Sequence, residues 1–250
     1  MTIIHLEEAV KHIKKTCDRH PQESPYFFIL GAGISYPNIP LASGIIEECK
    51  KEIGKNRGKI EDPGFKSNLD EYMHWFKEAH PNAIERQEYL RRLIEKKPIS
   101  LANLRLAHLL LNKKVANLVV TTNFDDFLSR GLRLFGVEPI VCDHPATTTR
   151  IDHEEGKDIK IIHVHGTYWF YDCCNLKGEI NKRAQTDDKT SLSMPALLDK
   201  ILHKRSPIVL GYGGWEEDVV MIALLKRLKS GALPYNMFWF CHRASEPDRL

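Results

Sequence analysis

The chain has 250 residues, 42 % of them hydrophobic and 28 % charged, which is ordinary globular composition and long enough to bury a substantial core. A formal net charge of +3 and an isoelectric point near 8.4 are too slight to argue for nucleic acid or a membrane surface. No apolar stretch approaches a bilayer span, and six cysteines without paired spacing point to reduced thiols in a cytosol.

The start, "MTIIHLEEAVKHIKK", carries acids inside its apolar pattern and reads as an amphipathic helix ending near Cys17 to His20, followed by the loop "PQESP". Five short apolar or β-branched runs then stand out as strands, at residues 26–30, 117–121, 159–164, 207–210 and 236–241. Residues 58–97 hold two helical patterns, "NLDEYMHWFKEAH" and "AIERQEYLRRLIEKK", separated by Pro81 with no strand between them; they read as a helical insertion forming a smaller lobe, with Met73, Trp75 and Phe76 inside it. "SLANLRLAHLLLNKK" starts a helix at a Ser100 cap, "DDFLSRGLRLFG" ends one at Gly136, and "GWEEDVVMIALLKRLKSG" places acids early, bases late and Gly231 as the stop. Residues 171–195 are polar and weakly patterned, a long loop of the kind that lies over a site. Strands alternating with helices imply an α/β fold, a doubly wound, mostly parallel Rossmann-like sheet with a helical lobe. The chain reads as one domain over 1–250, and because "CHRASEPDRL" stops soon after a strand, as the N-terminal part of something longer.

Open parallel sheets bind ligands beyond the carboxyl ends of their strands. Four motifs fall there: Gly31-Ala32-Gly33-Ile34-Ser35, "TTNFDD" at 121–126, "HVHGT" at 163–167 and "GYGGWEED" at 211–218. Each alone has a plainer reading. The glycines make a tight turn, Asp125 or Asp126 caps the next helix, His163 is a satisfied core residue, Trp215 anchors the following helix, and Glu216, Glu217 and Asp218 complement its dipole. The full G-x-G-x-x-G fingerprint is incomplete, since Tyr36 stands at its third glycine.

Taken in order, "GAGIS", "TNFD", "HG" and a Gly-x-Gly strand end resemble the sirtuin family over residues 26–241. The resemblance implies NAD as the substrate, with Gly31, Ala32, Gly33 and Ser35 at the phosphates, Asn123 and Asp125 by the nicotinamide ribose, His165 as base, and Gly211 and Gly213 near the adenosine half. Sirtuin deacylases carry two C-x-x-C pairs for zinc. Here Cys173 and Cys174 are adjacent and Cys17, Cys49, Cys142 and Cys241 are scattered, so no metal is expected. Thr122 stands where sirtuins have glutamine and Gly213 where a serine is expected. A sirtuin core with a helical insertion and no zinc module is similar to the NAD-consuming effectors of bacterial anti-phage defence. That implies an NAD glycohydrolase, gated by homo-oligomer contacts or by a sensor domain or partner protein. The residues fit this chemistry: backbone N–H groups at a glycine turn can meet a pyrophosphate, an amide such as Asn123 can orient water, and His165 can accept a proton. A non-catalytic NAD or ADP-ribose sensor and an NAD-dependent protein deacylase are the competing readings. A cytoplasmic protein binding neither membrane nor nucleic acid directly is expected.

Overall fold

A computed structural model describes residues 2–58, 63–151, 158–169, 193–215 and 218–242. Residues 171–192 of the expected loop, with Cys173 and Cys174, Glu216, Glu217 and the tail from 243 to 250 lie outside the described residues, while the end of that expected loop is helical instead, with Ser193 as N-cap and Met194 and Pro195 in the first turn.

Six parallel strands form one sheet in the order β3-β4-β2-β1-β5-β6. They are β1 (Tyr26–Leu30), β2 (Leu118–Thr121), β3 (Ile140–Cys142), β4 (Lys160–His163), β5 (Ser206–Leu210) and β6 (Phe238–Phe240). The sequence reading has five strands and omits β3. That strand is a three-residue edge run directly after Pro139, too short to show a periodicity.

The central strands are buried on both faces, so β1 reads "YFFIL" without polar alternation. Helices α1 (Leu6–Arg19), α5 (Leu101–Leu110) and α6 (Phe127–Leu134) cover Tyr26, Phe28 and Leu30 on one side. Helices α7 (Met194–Lys204) and α8 (Val219–Ser230) cover Phe27, Ile29 and Val120 on the other. Alternate residues of one strand thus serve two cores, the doubly wound arrangement expected from the alternating pattern.

Between β1 and α5 lie α2 (Ala42–Arg57), α3 (Asn68–Ala79) and α4 (Ala83–Ile94), which share a core of their own built on Cys49, Trp75, Phe76 and Leu90. Ser67 caps the start of α3, and Asn82 with Glu85 forms a capping box on α4, so Pro81 sits in the break between His80, which ends α3, and Asn82. Phe127 and Tyr168 join this core from beneath the sheet's rim, and Trp215 packs against it at 6.3 Å from Tyr72. At the end of α6, Gly136 takes φ +74° while Val137 N–H reaches Leu132 O and Gly136 N–H reaches Arg133 O, the Schellman closure that a C-terminal glycine permits.

Candidate functional site

The four motif-bearing loops leave the carboxyl ends of β4, β2, β1 and β5, neighbours in the sheet. The chain reverses its direction of strand addition between β1 and β5, so the switch point of this fold falls between the glycine turn and the loop after β5. There the two loops interlock. Gly31 N–H donates to Leu210 O at 3.1 Å and Gly33 N–H to Gly211 O at 2.9 Å. A Cβ on Gly31 would lie 2.5 Å from Tyr212 Cα, and one on Gly211, at φ +62°, would lie 2.6 Å from Ile34 N. Approach of main chain to main chain is therefore what demands glycine at 31 and 211. Ala32 and Gly33 stay exposed on the rim, as does Gly213, where a Cβ would meet nothing nearer than 3.8 Å. The Ala32 N–H, first in a 3-10 turn, has no backbone partner among the described residues.

Below the rim, Ser35 organises a buried polar cluster. Its hydroxyl donates to Asp125 Oδ2 at 2.8 Å and accepts from Asn123 Nδ2 at 3.3 Å and from Asn103 Nδ2 at 3.1 Å. One donor and two lone pairs are thereby all engaged, so Ser35 acts as a brace for its neighbours. Asp125 Oδ1 also accepts from Phe127 N–H at 3.1 Å, so the same carboxylate supports the start of α6. Burial pushes the Asp125 carboxyl up to about 6, against the donors Ser35, Phe127 and Asn123, which pull it down. From α5, Ser100 caps Asn103 N–H and donates to Ile34 O at 2.6 Å. The helix start predicted at Ser100 thus also pins the glycine turn.

The β2 and β4 ends are tied through Asn123. His163 Nδ1 stands 3.0 Å from Asn123 O, and since a carbonyl only accepts, Nδ1 carries the proton. Burial holds the His163 imidazole below its ordinary range. Two residues on, His165 turns its ring towards Phe124, with centroids 6.4 Å apart, and its Nε2 lies 3.3 Å from Asp218 Oδ1. Both side chains are buried. Asp218 Oδ1 also accepts from Val220 N–H at 3.0 Å as the N-cap of α8. Burial alone would raise the Asp218 carboxyl; the facing His165, the Val220 N–H and the Tyr212 hydroxyl outweigh it and leave the group below its ordinary value. The Tyr212 hydroxyl is buried beside this carboxylate without a hydrogen bond of good geometry, and burial with the neighbouring charge keeps it protonated.

Asn123, Asp125, Ser35 and His165 thus gather on neighbouring strand ends, Gly31, Gly33 and Gly211 form the interlock beside them, and Ala32 and Gly213 border it in the open. Sequence reasoning missed two partners. Asn103 lies on a helix 68 residues from Ser35, and Asp218 was read only as a partner of the helix dipole. Trp215 is partly buried and packs by Tyr72 of α3, against the helical lobe rather than the helix that follows it. Among the described residues no group of three His, Cys, Asp or Glu side chains is placed to hold a metal ion, and no helix is long and apolar enough to cross a membrane.

No curated protein matches the chain. The family model described as a SIR2-like domain matches residues 117–250, which hold β2 to β6 and with them Asn123, Asp125, His165, Gly211, Gly213 and Asp218. Matched over more than half its length and built on an all-parallel sheet of this kind, the chain belongs to the SIR2-like domain family, whose members use NAD.

Proposed function

We propose that the chain is an NAD glycohydrolase, which splits the nicotinamide–ribose bond with water to give nicotinamide and ADP-ribose. The observation that carries this reading is the position of Asn123 and His165 just after adjacent strands, with a carboxylate behind the imidazole. Asn123 Nδ2 is committed to Ser35, while His165 Nδ1 has no hydrogen-bond partner among the described residues. In this scheme the phosphates lie along the exposed Ala32–Gly33 main chain, where the Ala32 N–H is available. The Asn123 side chain orients a water at the anomeric carbon. As the C–N bond breaks, nicotinamide leaves with the bonding pair, the oxocarbenium-like carbon takes the water oxygen, and the water proton passes to His165 Nδ1. General-base assistance of this kind contributes roughly 10²–10⁴-fold. Uncontrolled turnover would drain a cell of NAD, so the activity suits an anti-phage effector held silent by oligomer contacts or a sensor partner.

The direct test is nicotinamide release from NAD by the purified protein, alone and with any partner that co-purifies. Asn123→Ala and His165→Ala are expected to abolish release while leaving the fold intact. Full activity in both variants would overturn the assignment, and tight NAD binding without turnover in every assembly would favour the sensor reading.

A further inference from the structure

We propose that Asp218 is the positioning residue of His165, holding the imidazole as the Nε2–H tautomer so that Nδ1 is the nitrogen presented to the reacting ribose. The proposal deepens the hydrolase reading and rests on it for its catalytic consequence, but its structural content stands on geometry alone. His165 Nε2 lies 3.3 Å from Asp218 Oδ1 with both groups buried. An ionised carboxylate only accepts hydrogen bonds, so the proton between the two belongs to Nε2. Nδ1 is then unprotonated in the neutral ring and free to accept. Among the described residues the groups facing the ring are Asp218 ahead of α8, Tyr212 after β5 behind that carboxylate, and the Phe124 ring after β2. Of these only Asp218 carries charge near neutral pH. When Nδ1 takes a proton, the resulting imidazolium finds its counter-charge already in place, in a site too dry to provide it from solvent.

The contact also joins distant parts of the fold. His165 follows β4 and Asp218 follows β5, with β2 and β1 between them in the sheet. A carboxylate reaching across two strands to meet an imidazole is more than a helix cap requires, since the Val220 N–H alone would satisfy the cap. The residues ending α8's entry loop thus serve two ends at once.

The test uses Asp218→Asn and Asp218→Ser, both good N-caps that retain support for α8 while removing the charge. The first readout is independent of catalysis: ¹⁵N chemical shifts of the imidazole nitrogens in the intact protein, with His165→Gln used for assignment. Wild type is expected to show Nε2 protonated and Nδ1 unprotonated, and either variant is expected to lose that tautomer preference. The second readout is NAD hydrolysis. Both variants are expected to lose roughly 10²–10⁴-fold in kcat with little change in KM. A wild-type ring protonated on Nδ1, or an unaltered His165 tautomer in a folded Asp218→Asn protein, overturns the proposal. If wild type shows the Nε2–H tautomer and the variants lose it while NAD is never cleaved, the positioning role stands and the hydrolase reading falls.

Discussion

Ser35 and Asp125, ninety residues apart in the chain, meet as hydroxyl and carboxylate at 2.8 Å, and that bond holds the glycine turn to the start of α6. The Ser35→Ala variant removes the donor to a buried carboxylate and the acceptor of two amides in one step. It is expected to lose about 1–3 kcal/mol, measured by chemical denaturation, because the Asp125 charge is left short of a partner. Asn123 loses its anchor in the same variant, so nicotinamide release should fall with it. Unchanged stability in Ser35→Ala would show that the cluster does not brace the turn.

Asp125 gives a pH dependence of defined sign. Its carboxyl is raised to about 6 in the folded protein from an ordinary value of 3.8, so between these values the native state binds the proton more firmly than the unfolded chain. The contribution of this group is favourable at low pH and is lost as pH rises through about 6. Its full cost near neutrality is on the order of 3 kcal/mol. Asp125→Asn should therefore become more stable relative to wild type by up to that amount between about pH 4 and pH 7, followed by denaturant titrations at each pH. A constant difference across the range would rule out the buried, raised carboxyl.

His163 acts in the opposite direction. Its imidazole is held below the ordinary value of 6.5 by burial. Stability from the neutral ring is present above that value and lost as pH falls below it. His163→Gln, which keeps an amide donor for Asn123 O, should flatten the acid side of the stability profile. It should also lower NAD hydrolysis, because Asn123 is held by that contact.

The glycines separate cleanly by steric demand. Gly31→Ala would drive a Cβ to 2.5 Å from Tyr212 Cα, a contact with main chain that cannot swing aside. A loss of about 3 kcal/mol or more is expected, seen as failure to accumulate as soluble protein or a steep fall in Tm. Gly213→Ala meets only the Trp215 ring nitrogen at 3.8 Å and should stay within about 0.5 kcal/mol of wild type. Any loss of NAD binding in Gly213→Ala then reports on the ligand rather than on folding.

Thiol reactivity should follow burial. Burial pushes the Cys49 thiol up to about 12 and raises those of Cys17 and Cys142 as well, whereas Cys241 is exposed. Alkylation mapped by mass spectrometry is expected to label Cys241 in the native protein and to reach Cys17, Cys49 and Cys142 only after unfolding.

Much of this architecture was legible because the central strands are apolar on both faces and end abruptly in polar or glycine residues. "YFFIL" before Gly31 and "LVVT" before Thr122 announce buried parallel strands whose ends converge. Caps at Ser67, Asn82 and Ser100 announce helices by local chemistry. What stayed hidden was either too short or too distant. The strand β3 offers three residues, and its pairing with β4 is what makes it a strand. Asn103 reaches Ser35 only through the packing of α5 on the rim, and nothing in "LANLRL" distinguishes that asparagine from a solvated one. Asp218 was hidden by having two tasks, since the capping signal accounts for an aspartate there without calling for a histidine. The glycines were visible, but the meeting of two turns at Gly31 and Gly211 was not.

That meeting leaves the centre of the rim without adjustable parts. Where side chains line a gap, substitution can widen or narrow it by a methylene at a time; here peptide faces peptide at 31–33 and 211–212, and no smaller residue exists to trade down to. Variation in what the crevice accepts must come from its flanks, through residues such as Ala32, Gly213 and Trp215, while the hinge line between the two halves of the sheet stays invariant in shape.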